Sequence, residues 1–206
     1  MATKYIVNNV TGQTINGDIT INGNVTITGT TNTRPYKVYT ALLTQSGGDS
    51  LEEISSGELE IGVTYQINQP KGENPKIGDF TNVGAPNNNN GTYFVATGTT
   101  PNQWGDTLLT YNTGAPVVTV LENTIGNIWF TYEGIANYVM NSNGLLPNYK
   151  TWGIADSVRD TDGINQAVYI DVNNQGPNIL YIRTQGGDFN GDSLLSNTPI
   201  EIRVYE

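Results

Sequence analysis

The feature that most constrains the fold is a six-residue repeat in residues 15–32 (INGDITINGNVTITGTTN). Every odd position from 15 to 29 is apolar or glycine, and every even position is polar. Such alternation is typical of extended chain with one buried face, but ordinary strands end by about ten residues. We therefore predict an unusual β-structure whose buried face holds Ile15, Gly17, Ile19, Ile21, Gly23, Val25, Ile27 and Gly29.

Two arrangements of this segment are possible. Asn16-Gly17 and Asn22-Gly23 suit type I′ hairpin turns, yet a turn at 22–23 pairs Ile21 with Asn24 and mixes the two faces. Stacking every six residues, or in register on identical copies, keeps the faces separate, and eighteen residues are too few for a solenoid alone. We expect an intermolecular interface between copies; an irregular β-arm lying on its own domain is the alternative.

Length and composition indicate an all-β protein. The 206 residues fit one core domain plus an arm, or two small modules. Hydrophobic residues make up 36% and charged residues 14%, with 27 asparagines and 27 threonines in their place. Asparagine and threonine are poor helix formers, and threonine favours strands. The mixture therefore favours a polar β-structure with many turns.

The same composition excludes several functional classes. The net charge is −10 and basic residues do not cluster, so we expect no nucleic-acid partner. Histidine and cysteine are absent, which removes Ser-His and Cys-His catalysis, zinc fingers and disulfides. No apolar run approaches the 18 residues of a membrane span. We expect no cofactor, no metal and no membrane association.

Turn residues divide the chain into an arm and a module. Pro35 ends regular pairing, so we assign residues 1–35 to an N-terminal β-repeat arm and 36–206 to a β-sandwich or jelly-roll-like module. A capping box at 50–53, closed by Gly57, predicts one short helix. The expected strands are 36–43, 62–67, 92–97, 107–111, 117–121, 128–132, 136–140, 167–172, 179–184 and 200–205.

Paired carboxylates are the remaining catalytic device, because glycoside hydrolysis needs two acids and no histidine. The pairs are Glu52/Glu53, Asp160/Asp162 and Asp188/Asp192. All lie in turn-like or capping sequence, where acids occur for conformational reasons, so we expect no enzymatic activity. Asp188, Asn190 and Asp192 alternate as calcium ligands do in an EF-hand loop, which requires glycine at position six and glutamate at position twelve. Counted from Asp188, glycine stands at position four and Pro199 at position twelve, so the pattern does not fit.

Aromatic residues offer a second possible function. Trp104, Trp129 and Trp152, with twelve tyrosines, could stack on sugars at a host surface. Aromatic side chains are also what a β-core is built from, and we expect most of them to serve that purpose.

Besides the repeat of the arm, three patterns stand out in the module. They are 36–47 (YKVYTALLTQSG) resumed by 115–126 (APVVTVLENTIG); 78–85 (GDFTNVGA) continued by 94–101 (FVATGTTP) and Trp104; and 193–198 (SLLSNT) followed by 200–205 (IEIRVY). The arm resembles Gly-Asn-Val-Thr-Ile repeats of fibre stalks, and the three patterns resemble β-rich modules of virion proteins of tailed phages, especially marine phages.

The resemblance implies a structural component of the virion, assembled in the host cytoplasm, and transfers no catalytic residues. In relatives the two parts of the first pattern tend to be adjacent, so we expect an insertion at about 48–112 that carries the second pattern. The expected function is a homotrimeric capsid decoration protein or short head fibre that contacts the major capsid protein. The alternatives are a tail fibre or adaptor that binds host glycans and, more distantly, a depolymerase.

Overall fold

The computed structural model describes residues 34–70, 74–156, 166–171, 178–186, 192 and 194–205. These residues belong to the unit Arg34–Glu206. The predicted interface residues of the arm, from Ile15 to Gly29, lie outside the described residues, and their role stays a prediction. Within the described part, every regular element is a β-strand apart from one 3-10 turn at Thr81–Val83. The predicted all-β class is confirmed.

Three four-stranded antiparallel sheets organise the module. The first sheet has the order β6 (Val117–Asn123), β1 (Tyr36–Thr44), β12 (Thr198–Tyr205) and β9 (Thr151–Ala155). The second has the order β10 (Gln166–Asp171), β11 (Ile179–Gly186), β8 (Asn137–Ser142) and β7 (Ile128–Gly134). The third has the order β2 (Leu51–Ile54), β5 (Leu108–Asn112), β3 (Thr64–Asn68) and β4 (Tyr93–Val95).

The main core lies between the first and second sheets. Alternate residues of β1 and β12, such as Leu43 and Ile202, pack with Phe130, Met140 and Ile182 from the second sheet. All five are fully buried, as expected where two sheets bury one face each. The module thus contains a two-sheet sandwich, while its jelly-roll-like connectivity stays a prediction.

The third sheet has a hydrophobic core of its own. Its four strands lie between residues 51 and 112, within the range that we assigned to an insertion. Phe80, Val83 and Phe94 from the second resemblance pattern are buried in this core, and Trp104 packs against it. The chain leaves β1 at Thr44 and returns in β6 at Val117, and these two residues lie opposite each other in the first sheet.

The predicted helix at 50–57 is wrong, because Leu51–Ile54 forms strand β2 and pairs with β5. Isolated helices of one or two turns are marginal, whereas a neighbouring strand supplies backbone hydrogen bonds along its whole length. The Ser50 hydroxyl donates instead to the Glu52 carboxylate at 2.8 Å.

Strands form at all ten predicted positions, and β9, like β2, is an additional one. Its central Gly153 lies so close to Ile202 and Ile170 that a Cβ atom there would approach both side chains within 3 Å. The glycine that obscures this strand in the sequence is what allows it to pack.

Candidate functional site

The acid pairs considered for catalysis do not form a site among the described residues. Glu52 and Glu53 are consecutive in β2, so their side chains point to opposite faces, and both are exposed. Asp160, Asp162 and Asp188 lie outside the described residues. Within the described ranges, no three histidine, cysteine, aspartate or glutamate side chains are placed to hold a metal ion.

Asp192 makes hydrogen bonds to residues of the β7–β8 hairpin. Its Oδ2 accepts from the Tyr132 hydroxyl at 2.8 Å, and its Oδ1 accepts from the Ala136 amide at 2.8 Å and the Tyr138 hydroxyl at 3.2 Å. Burial, followed by the hydrogen bond to Asp192, raises the pKa of Tyr132 to about 12. Both carboxylate oxygens are therefore occupied by structural contacts.

Asp79 performs a similar task in the 78–85 motif. Its Oδ1 accepts from the Thr81 hydroxyl at 2.7 Å, the Thr81 amide at 3.0 Å and the Asn88 amide group at 3.2 Å. Its Oδ2 accepts from Asn102 at 3.0 Å. These donors, the Thr81 hydroxyl first, hold the pKa of Asp79 well below its usual range. The motif is therefore a network that fixes loops around the third sheet.

The three tryptophans have different environments. Trp104 packs edge-on against Phe80, with 5.4 Å between ring centroids, and belongs to the core of the third sheet. Trp152 is 40% exposed on the first sheet. Trp129 is partly buried in β7 and stacks in parallel on Tyr93 of β4, with 5.7 Å between centroids and 5° between planes. Trp152 and Trp129 thus each keep part of the side chain exposed.

The outer face of the first sheet is rich in exposed apolar side chains, and we call it the association face. It surrounds a shallow depression of about 460 Å³ near Leu121, Ile154 and Pro199. Leu121 is 61% exposed and Ile154 52% exposed. The face consists of Tyr36, Leu121, Trp152, Ile154, Pro199 and Tyr205. Contiguous apolar surface of this kind marks contacts with other proteins.

Two ion pairs lie on the association face, and Asp156, which lines the depression, adds an exposed carboxylate. Arg203 bonds to Glu201 and lies over the rings of Tyr36 and Trp152, at 4.8 and 4.9 Å from their centroids. Arg34, the first described residue, donates to Glu122 at 2.8 Å. On a chain of net charge −10, these two ion pairs leave the face less negative than the chain as a whole, which limits repulsion between two copies of it.

A polar cleft lies between the third sheet and β7, and we call it the asparagine cleft. It has a volume of about 200 Å³ and is bordered by the stacked rings of Tyr93 and Trp129. Its other lining residues are Pro86, Asn87, Asn90, Gly91, Thr92, Asn127 and Asn143. None of the described residues that line it is charged, so an uncharged polar ligand fits its chemistry.

Sequence reasoning identified only part of this cleft. The run Asn87–Asn90 indicates a loop, and Trp129 was noted as an aromatic residue, but Tyr93, Asn127 and Asn143 carry no local signal. They meet only because β4 of the third sheet lies against β7 of the second. The cleft is a product of tertiary structure.

No family model matches the chain, and neither curated proteins nor solved structures give a significant match. No helix in the described ranges is long and apolar enough to cross a membrane.

Proposed function

We propose that this chain is a non-enzymatic structural protein of a tailed-phage virion, working as a homotrimeric capsid decoration protein or short head fibre. Its partners are its own copies and other virion proteins such as the major capsid protein. The observation that carries this proposal is the association face, which is rich in exposed apolar side chains and carries two ion pairs. The repeat in residues 15–32, with apolar residues or glycine at every odd position up to 29, is predicted to supply a second interface.

The proposed mechanism is mechanical. Each exposed leucine, isoleucine or aromatic side chain that becomes buried between copies gains roughly 1.5 kcal/mol or more when fully removed from water. The arms add backbone hydrogen bonds between chains, the mode by which an extended segment extends a neighbouring sheet. In a closed symmetric trimer every copy buries the same surface against its neighbour, so the assembly does not polymerise further.

Multi-angle light scattering on the full-length chain tests the oligomer state. We expect a mass three times the 22.3 kDa of one chain. A clean monomer at micromolar concentration, with the arm intact, would refute the trimer. Symmetry-resolved imaging of particles then tests whether the protein lies on the head or the tail.

A second candidate function is that of a tail fibre or adaptor that contacts host glycans. The asparagine cleft is the observation that favours it, because stacked aromatic rings beside amide groups suit sugar binding. Adsorption of host cells blocked by the recombinant protein would support this function over the first.

A further inference from the structure

In the asparagine cleft, the side-chain amides of Asn87 and Asn90 are held by hydrogen bonds to their Oδ1 atoms, while their Nδ2 groups have no such bond to any described residue. Asn87 Oδ1 accepts from the Asn89 amide at 2.9 Å and the Thr92 hydroxyl at 2.7 Å. Asn90 Oδ1 accepts from the Gln69 amide at 2.8 Å. Because backbone N–H groups require an oxygen partner, the Nδ2 groups of both asparagines are directed elsewhere. Neither Nδ2 has a hydrogen-bond partner among the described residues.

Asn127 presents the complementary group. Its Nδ2 donates to the Tyr93 carbonyl at 3.1 Å, which leaves its Oδ1 as an acceptor without a partner in the described part of the chain. Asn143 is exposed and its side chain makes no hydrogen bond to any described residue. The cleft therefore combines two fixed donors, one fixed acceptor and one amide that supplies both.

The aromatic border supplies the apolar half of a binding site. Tyr93 and Trp129 lie parallel and come from strands of different sheets, so the packing of the module sets their orientation. An aromatic ring offers a flat apolar surface, and a pyranose offers a matching face of C–H groups with hydroxyls at its edge. Those hydroxyls both donate and accept, as asparagine amides do.

We propose that the asparagine cleft binds a neutral saccharide, with one sugar ring against Trp129 and Tyr93 and its hydroxyls bonded to Asn87, Asn127 and Asn143. Because none of the described lining residues is charged, the anionic groups of sialylated or sulfated sugars would find no cation among them, which selects against such sugars. The inference rests on the second candidate function and is independent of the trimer.

The test uses the full-length protein and a panel of neutral oligosaccharides of hexoses and N-acetylhexosamines, with sialylated and sulfated oligosaccharides for comparison. Titration is followed by ligand-observed NMR and by tryptophan fluorescence. We expect millimolar or tighter binding of at least one neutral oligosaccharide and none of the charged set. Absence of neutral binding at millimolar concentration, or equal binding of the charged set, would overturn the proposal.

Three variants locate the site. We expect Trp129→Ala to weaken binding at least tenfold and Asn143→Ala several-fold, while Trp152→Ala, a matched tryptophan on the association face, leaves it unchanged. Because Trp129 also packs against the core, circular dichroism checks its fold, and the exposed Asn143 provides a test free of that concern. Binding that survives Asn143→Ala unchanged, or that is lost with Trp152→Ala, would place the ligand elsewhere. Light scattering on the same samples reports the trimer separately, so failure of either proposal is recognised by itself.

Discussion

Replacing Leu121 and Ile154 by threonine should weaken the trimer without unfolding the module. Both side chains lie on the association face, in strands β6 and β9, and are 61% and 52% exposed. Threonine is β-branched and suits strands, so exposed substitutions of this kind usually change the stability of a single chain by less than about 0.5 kcal/mol. The association of copies is what the change removes.

The exposed fractions give the expected size of the effect. Full burial of a leucine or isoleucine gains about 1.5–3 kcal/mol, so the exposed halves of these two side chains together represent roughly 2–3 kcal/mol per face. Each 1.4 kcal/mol corresponds to a factor of about ten. Three chains lose this stabilisation together, roughly 6–9 kcal/mol per trimer, and the concentration at which a trimer dissociates varies as the square root of its dissociation constant. The double variant should therefore dissociate at protein concentrations roughly 100- to 1,500-fold higher than wild type.

Analytical ultracentrifugation over a concentration series measures this shift, and thermal unfolding followed by circular dichroism checks the module. The matched control is Ile61→Thr with Ile135→Thr, because these isoleucines are 57% and 70% exposed but do not belong to the association face. The reasoning is refuted if the face variant dissociates at the wild-type concentration, or if the control dissociates as readily as the face variant.

Three further predictions concern the arm and the two structural aspartates. Replacing Ile21 and Val25 by aspartate puts charges on the predicted buried face of the arm, and burying each charge unpaired costs several kcal/mol. Quantitative gel analysis should show that particles lack this variant, while the purified protein keeps its β-sheet circular dichroism. Folding lowers the pKa of Asp79. The ionised carboxylate therefore stabilises the folded state above its unfolded pKa of about 3.9, and this stabilisation is lost as pH falls through the folded value. The urea midpoints of wild type and Asp79→Asn should therefore differ less at pH 2 than at pH 7. Asp192→Ala should remove the hydrogen bond to Tyr132 without changing any release of reducing sugar from host polysaccharide. A release of reducing sugar that depends on Asp192 would contradict this.

The strands were predictable from sequence because their apolar and β-branched runs are bounded by turn residues. In β12, Ile200, Ile202 and Val204 are buried while Glu201 and Arg203 lie on the other face, and this alternation is visible in the printed letters. The third sheet was predicted only as an insertion at about 48–112 between the two parts of the first resemblance pattern. Neither the pairing of its strands nor its separate core has a local signal in the sequence.

The errors and omissions have a common physical cause. At 50–53 the local capping signal was outweighed by pairing with β5, some sixty residues further along the chain. The tryptophans could be listed from sequence, but their roles depend on distant neighbours: Trp104 meets Phe80, and Trp129 meets Tyr93. The association face likewise requires knowing that β6 and β9 flank the two central strands.

Thr44 and Val117 lie side by side, although the whole third sheet separates them in the chain. The hydrogen-bonded ladders that β1 forms with β6 and with β12 hold these two residues together. The entropy cost of closing the chain between them therefore changes little whether the intervening residues are ordered or not. Because the third sheet has its own core, we expect it to open as a separate cooperative unit in hydrogen exchange. Its amides should exchange through a partial opening, in which the sandwich stays folded and the association face keeps its shape.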